Sequence, residues 1–352
     1  MDINDIDTPS VLIDLDKVDA NLRAAQDYGD AHGLTLRPHV KTHKLPRFAR
    51  LQQELGAVGI TAQKLGEAEA MADGGIEDIF LPYNILGHAK LERLYALHKR
   101  TALSVTADNA PTIAGYAARF TDPSRPLSVL VECDTGAGRC GVQTASEAVE
   151  LAKSIDAAPG LTFAGLMSYP PQGKTQHVQK WLVEAMTALT AADLRPERIS
   201  IGGTPDLMRA AEIPAANEYR PGTYIYGDRM QVAWGHGALD RCALTVLATV
   251  VSRPTPDRAI LDSGSKALAA DLCGAAGHGH IVAYPEAVVT ALSEEHAIVD
   301  LSACPERPEI GERLQIIPNH CCVVTNLFDH VYLMRKSEVE EKARITSRGD
   351  IR

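Results

Sequence analysis

Short apolar runs recur along the first two thirds of the chain, separated by longer segments of mixed character. The runs lie at 34–39, 57–61, 78–81, 103–106, 127–132, 162–167, 198–201 and 218–219, and they read as eight strands. Segments between them, such as 64–72, 89–98, 145–154 and 178–192, are rich in Ala, Glu and Leu and read as helices. Eight strands each followed by a helix predict an α/β fold, a TIM-type (β/α)8 barrel, and a span of about 220 residues suits one. After about Gly235 the texture changes. Runs at 242–251, 259–262, 297–301, 313–317 and 330–333 are short, rich in β-branched residues and punctuated by Gly and Pro, which predicts a small C-terminal all-β domain. A strand at 10–14 precedes the barrel and is expected to pair with that domain. The expected organisation is a barrel over 15–235 and a β-rich domain made of 1–14 with 236–352.

Composition narrows the function classes. The 352 residues are 45% hydrophobic and 23% charged, as in a soluble globular protein with room for one large domain and a smaller one. A net charge of −10 argues against a nucleic-acid partner. No apolar run approaches the roughly 20 residues that span a bilayer, so no membrane role is expected. The acidic start, Met1-Asp2-Ile3-Asn4-Asp5, lacks an apolar signal core. Seven scattered cysteines, an odd number, predict free thiols in a reducing cytoplasm. A local basic cluster in so acidic a protein points to an anionic small molecule.

That cluster is Arg37-Pro38-His39-Val40-Lys41-Thr42-His43-Lys44. Like charge around Lys41 disfavours its ammonium form, and a partly neutral lysine is a nucleophile for carbonyl carbon. Alone, the segment reads equally as a basic surface loop. In barrels, however, the chemistry sits at the C-terminal ends of the strands, and unusual residues recur there. His39 and Lys41 follow the first strand, Gln63 the second and Asn84 the third. Asp134-Thr135-Gly136-Ala137-Gly138-Arg139-Cys140-Gly141 follows the fifth, and Ser168 and Tyr169 the sixth. Gly202-Gly203-Thr204 follows the seventh and Arg220-Pro221-Gly222-Thr223 the eighth.

Barrels commonly hold phosphate with the loops after strands seven and eight. Gly202 and Gly203 let backbone amides approach an anion, Thr204 adds a hydroxyl donor, and Gly222 and Thr223 supply more amides; two tight turns are the alternative. A phosphate site and a nucleophilic lysine together predict a phosphorylated carbonyl compound, and pyridoxal phosphate (PLP) meets both halves. Arg220 reads as the partner of the pyridine nitrogen, which it would leave unprotonated, or as a rim salt bridge. Arg139 reads as a donor to the cofactor's phenolic oxygen, as a bidentate clamp on a substrate carboxylate, or as filling carbonyls of its own loop.

A second chemical signal is Pro318-Asn319-His320-Cys321-Cys322. In an extended segment, His320 and Cys322 share a face, and imidazole plus thiolate is a soft, zinc-favouring donor pair. A buried cysteine beside a satisfied histidine is the other reading. Two protein ligands leave room for water or substrate, so such a site would be catalytic. His278-Gly279-His280 reads as a turn, although its spacing also suits a ligand pair, and Glu294-Glu295 as a solvated turn or as carboxylates backing the metal ligands.

Together these residues resemble the D-threonine aldolase and D-serine dehydratase branch of the fold-type III PLP enzymes, the alanine-racemase-like barrels. The resemblance runs from Thr8-Pro9-Ser10 through the Lys41 segment, the Arg139 loop, Gly202-Gly203-Thr204 and Arg220-Pro221-Gly222-Thr223-Tyr224. It extends to Leu261-Asp262-Ser263-Gly264, the His320 segment and Ser347-Arg348-Gly349. It implies that Lys41 forms the Schiff base with PLP. Gly203, Thr204, Gly222 and Thr223 would bind the phosphate, with Tyr169, Gln63 and Arg139 beside the cofactor. It also implies that His177 lies near the substrate, that His320 and Cys322 hold a divalent metal (zinc or manganese), and that the protein is a homodimer.

Aldolases of this branch usually carry aspartate two residues after the metal histidine, whereas the eukaryotic-type dehydratases carry cysteine, as here. The 132–142 and 163–169 stretches, in contrast, resemble the aldolases. The expected activity is cleavage of a D-β-hydroxy-α-amino acid, such as D-threonine, to glycine and an aldehyde. The alternative is dehydration of D-serine or 3-hydroxyaspartate. A racemase, whose second base would be a tyrosine such as Tyr284 or Tyr332, and a non-catalytic PLP carrier are the remaining readings.

Overall fold

The computed structural model describes residues 3–336 and 338–352. The chain divides into two compact units. One comprises Ala24–Lys41, Leu45–Gly222 and Asp350–Arg352, the other Met1–Arg23, Thr42–Lys44 and Thr223–Gly349. Strand β1 (Ser10–Asp14) leads directly into helix α1 (Leu15–His32).

The first unit is the barrel. Its strands are β2 (Thr35–Leu36), β3 (Ile60–Thr61), β4 (Asp78–Leu81), β5 (Ala102–Ala107), β6 (Leu127–Cys133), β7 (Leu161–Ser168), β8 (Arg198–Ile201) and β9 (Glu218–Tyr219). All pair in parallel, in the order β2-β9-β8-β7-β6-β5-β4-β3. The two ends of this order meet without a ladder. A parallel bridge between His39 and Thr61 closes the ring, with Val58 N donating to Leu36 O at 2.9 Å and Thr61 N to Pro38 O at 2.8 Å. The sequence therefore placed all eight strands, although β2, β3 and β9 are only two residues long.

The helices α2 (Pro46–Glu54), α3 (Leu65–Asp73), α4 (His88–His98), α5 (Ala110–Arg119), α6 (Ala145–Asp156) and α7 (Thr175–Ala191) form the connections. After β8 the chain makes a 3-10 turn, Leu207–Glu212, in place of a full helix. Strands β5 and β6 are buried along nearly their whole length because one face meets the lumen and the other the helices. Phe80, Leu130 and Met167 form an apolar cluster. The β6–β7 register slips between Val129 and Leu130, where Gly165 adopts φ 141°. A Cβ at Gly165 would drive into the Arg198 carbonyl oxygen, so this irregularity requires glycine.

The second unit is a sheet of β10 (Leu244–Thr255), β11 (Arg258–Leu261), β12 (His280–Ile281), β13 (Val288–Leu292), β14 (Ala297–Asp300), β15 (Arg313–Ile317), β16 (His330–Arg335) and β17 (Glu338–Arg344), with β1 inserted. The main order is β13-β14-β11-β10-β1-β16-β17, and β15 pairs with β10 and β12. The apolar residues Val11, Leu12 and Ile13 place β1 between β10, antiparallel, and β16, parallel. Three short helices, α8 (Arg229–Ala233), α9 (Ser265–Leu268) and α10 (Cys321–Leu327), complete the unit. The unit starts at Thr223, earlier than the change of texture near Gly235. Arg229 N donates to Pro318 O (3.2 Å) and Met230 N to Asn319 O (3.0 Å), which ties α8 to the start of α10. Among the described residues no helix is long and apolar enough to cross a membrane.

Candidate active site

Lys41 sits in a 3-10 turn, Val40–Thr42, just past β2. His39 anchors this corner: its Nε2 lies 3.0 Å from Gln63 Oε1, and its Nδ1 accepts from the Lys41 amide at 3.4 Å. Two of the cations expected to crowd Lys41 are committed elsewhere. Arg37 donates through Nε to Glu218 (2.7 Å) and through Nη1 to Asp78 (2.5 Å). Lys44 Nζ donates to the Ser347 carbonyl (3.3 Å). The crowding expected of the basic octapeptide is thereby corrected: much of its charge serves buried structure.

The loop after β6 is shaped by its own aspartate. Asp134 Oδ1 accepts from Gly136 N (2.9 Å) and Gly138 N (3.1 Å). These amides outweigh partial burial and hold its carboxyl below the usual carboxylate range. Gly141 N donates to Asp108 at 2.9 Å, fixing the far end of the loop. Arg139 then lies over Tyr169, 4.4 Å from guanidinium carbon to ring centroid. Gly136 borders His177: a Cβ added there would come 3.6 Å from His177 Nε2.

The glycine loops after β8 and β9 also meet. Gly222 N donates to Thr204 Oγ1 at 3.3 Å, and the Gly203 carbonyl accepts from Tyr219 OH at 2.6 Å. Gly203 has φ 136°, and a Cβ there would come 3.5 Å from Tyr169 Cε2. A Cβ on Gly202 would collide with the Arg220 backbone. Bare backbone, a hydroxyl and an amide gathered beside an aromatic ring form a cradle that fits the phosphate and ring of PLP. Thr223, the next residue, opens the other unit, where its Oγ1 lies 3.7 Å from Cys322 Sγ.

Arg220 is buried and donates to Ser200 Oγ (2.5 Å) and to the Ser168 carbonyl (3.0 Å). Ser200 Oγ in turn donates to Glu218 Oε1 (2.5 Å). Burial pulls the Arg220 pKa down to about 10, which still leaves a cation at neutral pH.

In the second unit the segment expected to be extended instead turns into α10 at Cys321, with His320 as the residue before the first turn. His320 and Cys322 nevertheless meet. His320 Nδ1 lies 2.9 Å from Asp228 Oδ2, which leaves Nε2 for the Cys322 sulfur. Burial would lower the His320 pKa, but hydrogen bonds to Asp228 and Cys322 and their charges push it up to about 11. Asp228 is fully buried; it also accepts from Cys321 N (3.1 Å) and caps α8 through Gln231 N (3.0 Å).

A carboxylate that fixes one imidazole nitrogen so that the other faces a sulfur is the outer partner metal-binding histidines use. The donor set thus fits a soft divalent ion. Among the described residues no group of three or more His, Cys, Asp or Glu gathers as a complete shell. The Cys322 sulfur also lies 3.1 Å from the hydroxyl of Thr42, the residue after Lys41. Among the secondary candidates, Glu295 forms an exposed ion pair with Lys266 (2.5 Å). His280 lies in β12, and Tyr284 donates to Glu312 (2.8 Å).

Lys41, the two glycine loops and Arg220 all follow strands of one parallel (β/α)8 barrel. Residues 13–230 match the family model for the alanine racemase N-terminal domain, and residues 243–334 match a putative serine dehydratase domain. The chain therefore belongs to the alanine racemase-like family. Within it, the chain is 35% identical to a D-threonine aldolase from Arthrobacter sp., over 98% of this chain and 93% of that protein. The structure of D-threonine aldolase from Filomicrobium marinum superposes with a TM-score of 0.91 at 30% identity, covering 99% of this chain and 98% of that one. D-threo-3-hydroxyaspartate dehydratase from Delftia sp. HT23 superposes with a TM-score of 0.87 at 28% identity, covering 97% and 98%. That enzyme is also known as a cysteine-to-alanine mutant in the metal-free form.

Proposed function

We propose that this chain is a PLP-dependent, metal-assisted lyase that cleaves D-β-hydroxy-α-amino acids of the D-threonine type to glycine and an aldehyde. The observation that carries the reading is the Asp228-oriented His320 beside Cys322, in a chain that matches a D-threonine aldolase nearly end to end.

When bound, PLP supplies an electron sink for the amino acid's α-carbon, and a divalent ion at His320 and Cys322 supplies a Lewis acid for its β-hydroxyl. Lys41 provides the amine that holds PLP. Thr204 and the Gly203 and Gly222 amides, joined by Thr223, bind its phosphate. Arg220 would partner the pyridine nitrogen as a donor and so favour its unprotonated form. Gln63, through His39, fixes the Lys41 backbone, and Tyr169 would lie beside the cofactor. Arg139 binds the phenolic oxygen or the substrate carboxylate. His177 takes the β-hydroxyl proton as the Cα–Cβ bond breaks. None of the seven cysteines lies in a disulfide, in keeping with a reducing cytoplasm, and the homodimer of the family belongs to the same proposal.

A stereochemical assay tests the reaction: acetaldehyde should be released from D-threonine and not from L-threonine. Release from L-threonine alone, or from neither, overturns the reading. One residue favours a second reading. Cys322, a thiol donor, suits the dehydratase chemistry of the Delftia enzyme. There Lys41 would remove the α-proton and the β-hydroxyl would leave, giving a keto acid and ammonia.

Asp228→Asn supplies a sharper check on the metal pair. Asparagine caps a helix nearly as well as aspartate, so α8 should survive. Without the carboxylate behind His320, zinc or manganese affinity should fall about 10- to 100-fold, measured by titrating the chelator-treated protein. Unchanged metal affinity would remove Asp228 from the site.

A further inference from the structure

Arg220 is held by a run of buried hydrogen bonds that the chemistry above does not use. Glu218 lies on β9, and Arg220, two residues on, shares its face. Ser200 on β8 is the register partner of Glu218 on one side, and Thr35 on β2 is its partner on the other. Arg37, two residues past Thr35, therefore comes onto the same face. Register thus gathers Arg37, Ser200, Glu218 and Arg220, and all four are buried.

The direction of each bond follows from the chemistry of the groups. Burial would raise the Glu218 pKa, but the Arg37 and Arg198 charges and the hydrogen bonds from Arg37 and Ser200 hold it below the usual carboxylate range. An ionised carboxylate only accepts, and a serine hydroxyl has one proton to give. Glu218 Oε2 accepts from Arg37 Nε at 2.7 Å, and Arg37 is held in turn by Asp78. Glu218 Oε1 takes the Ser200 proton at 2.5 Å. The Ser200 oxygen is then left to accept from Arg220 Nη1, also at 2.5 Å, while Arg220 Nη2 donates to the Ser168 carbonyl at 3.0 Å. These bonds use Nη1 and Nη2 and leave Nε for a ligand.

We propose that Ser200 and Glu218 are positioning residues of the cofactor site: Glu218 draws the Ser200 proton, and the Ser200 oxygen then holds the Arg220 guanidinium with Nε left for the pyridine nitrogen of PLP. The same carboxylate holds Arg37, so one buried acid steadies both the strand that leads to Lys41 and the arginine. The proposal deepens the PLP reading and rests on it, but it does not depend on which reaction follows.

The test reads PLP affinity by absorbance and fluorescence titration, and the pyridine nitrogen by nitrogen NMR of isotope-labelled PLP. Ser200→Ala removes only the hydroxyl and should bind PLP roughly five- to tenfold more weakly, the scale of one hydrogen bond to a charged group. Its pyridine nitrogen signal should move from the wild-type position. Ser200→Thr keeps a hydroxyl and suits a strand, so it should keep the wild-type signal and most of the affinity. Glu218→Gln has one oxygen for two donors and should weaken PLP binding in the same direction. In the Arg220→Gln background Ser200→Ala should cost less than about twofold, because coupled residues do not add. Wild-type affinity and an unmoved nitrogen signal in Ser200→Ala, even with a lower melting temperature, overturn the proposal. So does an equal cost in both backgrounds. A wild-type chain that binds no PLP overturns the cofactor reading itself, so the two failures are distinguishable.

Discussion

Lys41→Ala protein is expected to lose the borohydride-reducible PLP absorbance and to cleave D-threonine on the order of ten-thousand-fold more slowly. The argument rests on placement more than on charge. Lys41 follows the corner where the bridge from His39 to Thr61 closes the barrel, and its amide is pinned to His39, which Gln63 holds in turn. The cradle at Gly203, Thr204 and Gly222 is built on other strands and does not need the lysine. The variant should therefore still bind PLP, weakly and without a covalent bond. A reducible PLP band that persists in Lys41→Ala protein would assign the covalent linkage to another residue.

The second large effect is expected from His320→Ala and Cys322→Ala. A Lewis acid on a developing alkoxide contributes several kcal/mol, and about 1.4 kcal/mol is tenfold in rate. Either variant should thus lose roughly a hundred- to a thousand-fold in turnover. Added zinc or manganese should no longer restore chelator-treated protein. The PLP spectrum should not change, because Lys41, Gly203, Thr204 and Gly222 belong to the other unit. Chelator-sensitive activity of wild-type size in Cys322→Ala would remove this pair from the chemistry.

The barrel was legible in the sequence because parallel strands carry their signal locally. Runs such as Asp78–Leu81 and Arg198–Ile201 are short and sharply bounded, whereas the two-residue β9 gives the faintest signal of the eight. What depends on distant partners was not legible. Arg37 read as a like charge beside Lys41, yet its carboxylates, Asp78 and Glu218, lie 41 and 181 residues away. Asp228 was missed: with Gln231 three residues on, it announces the start of α8, but its second role, on His320, spans 92 residues. The bend at Cys321 was also hidden, because Cys-Cys-Val-Val is as acceptable in a strand as in the helix that forms. Ser200 and Glu218 looked like ordinary strand residues, since the bonds that join them to Arg220 and Arg37 appear only after folding.

The placement of the candidate residues explains why a cofactor role is read more easily than a reaction. Lys41, Gly203, Thr204 and Arg220 each follow a barrel strand, a place where position alone suggests chemistry. His320 and Cys322 sit at the start of a short helix in the β-rich unit, where no general rule marks a functional residue. In the proposed mechanism they are also the residues on which the choice between carbon–carbon cleavage and loss of the hydroxyl turns.

The most direct measurement is product analysis of the PLP-loaded, metal-reconstituted protein given D-threonine, 3-hydroxy-D-aspartate and D-serine in turn. Glycine and an aldehyde should be quantified against keto acid and ammonia. The account predicts glycine and acetaldehyde in equal amounts from D-threonine, without ammonia. Keto acid with stoichiometric ammonia, and no glycine, would contradict it.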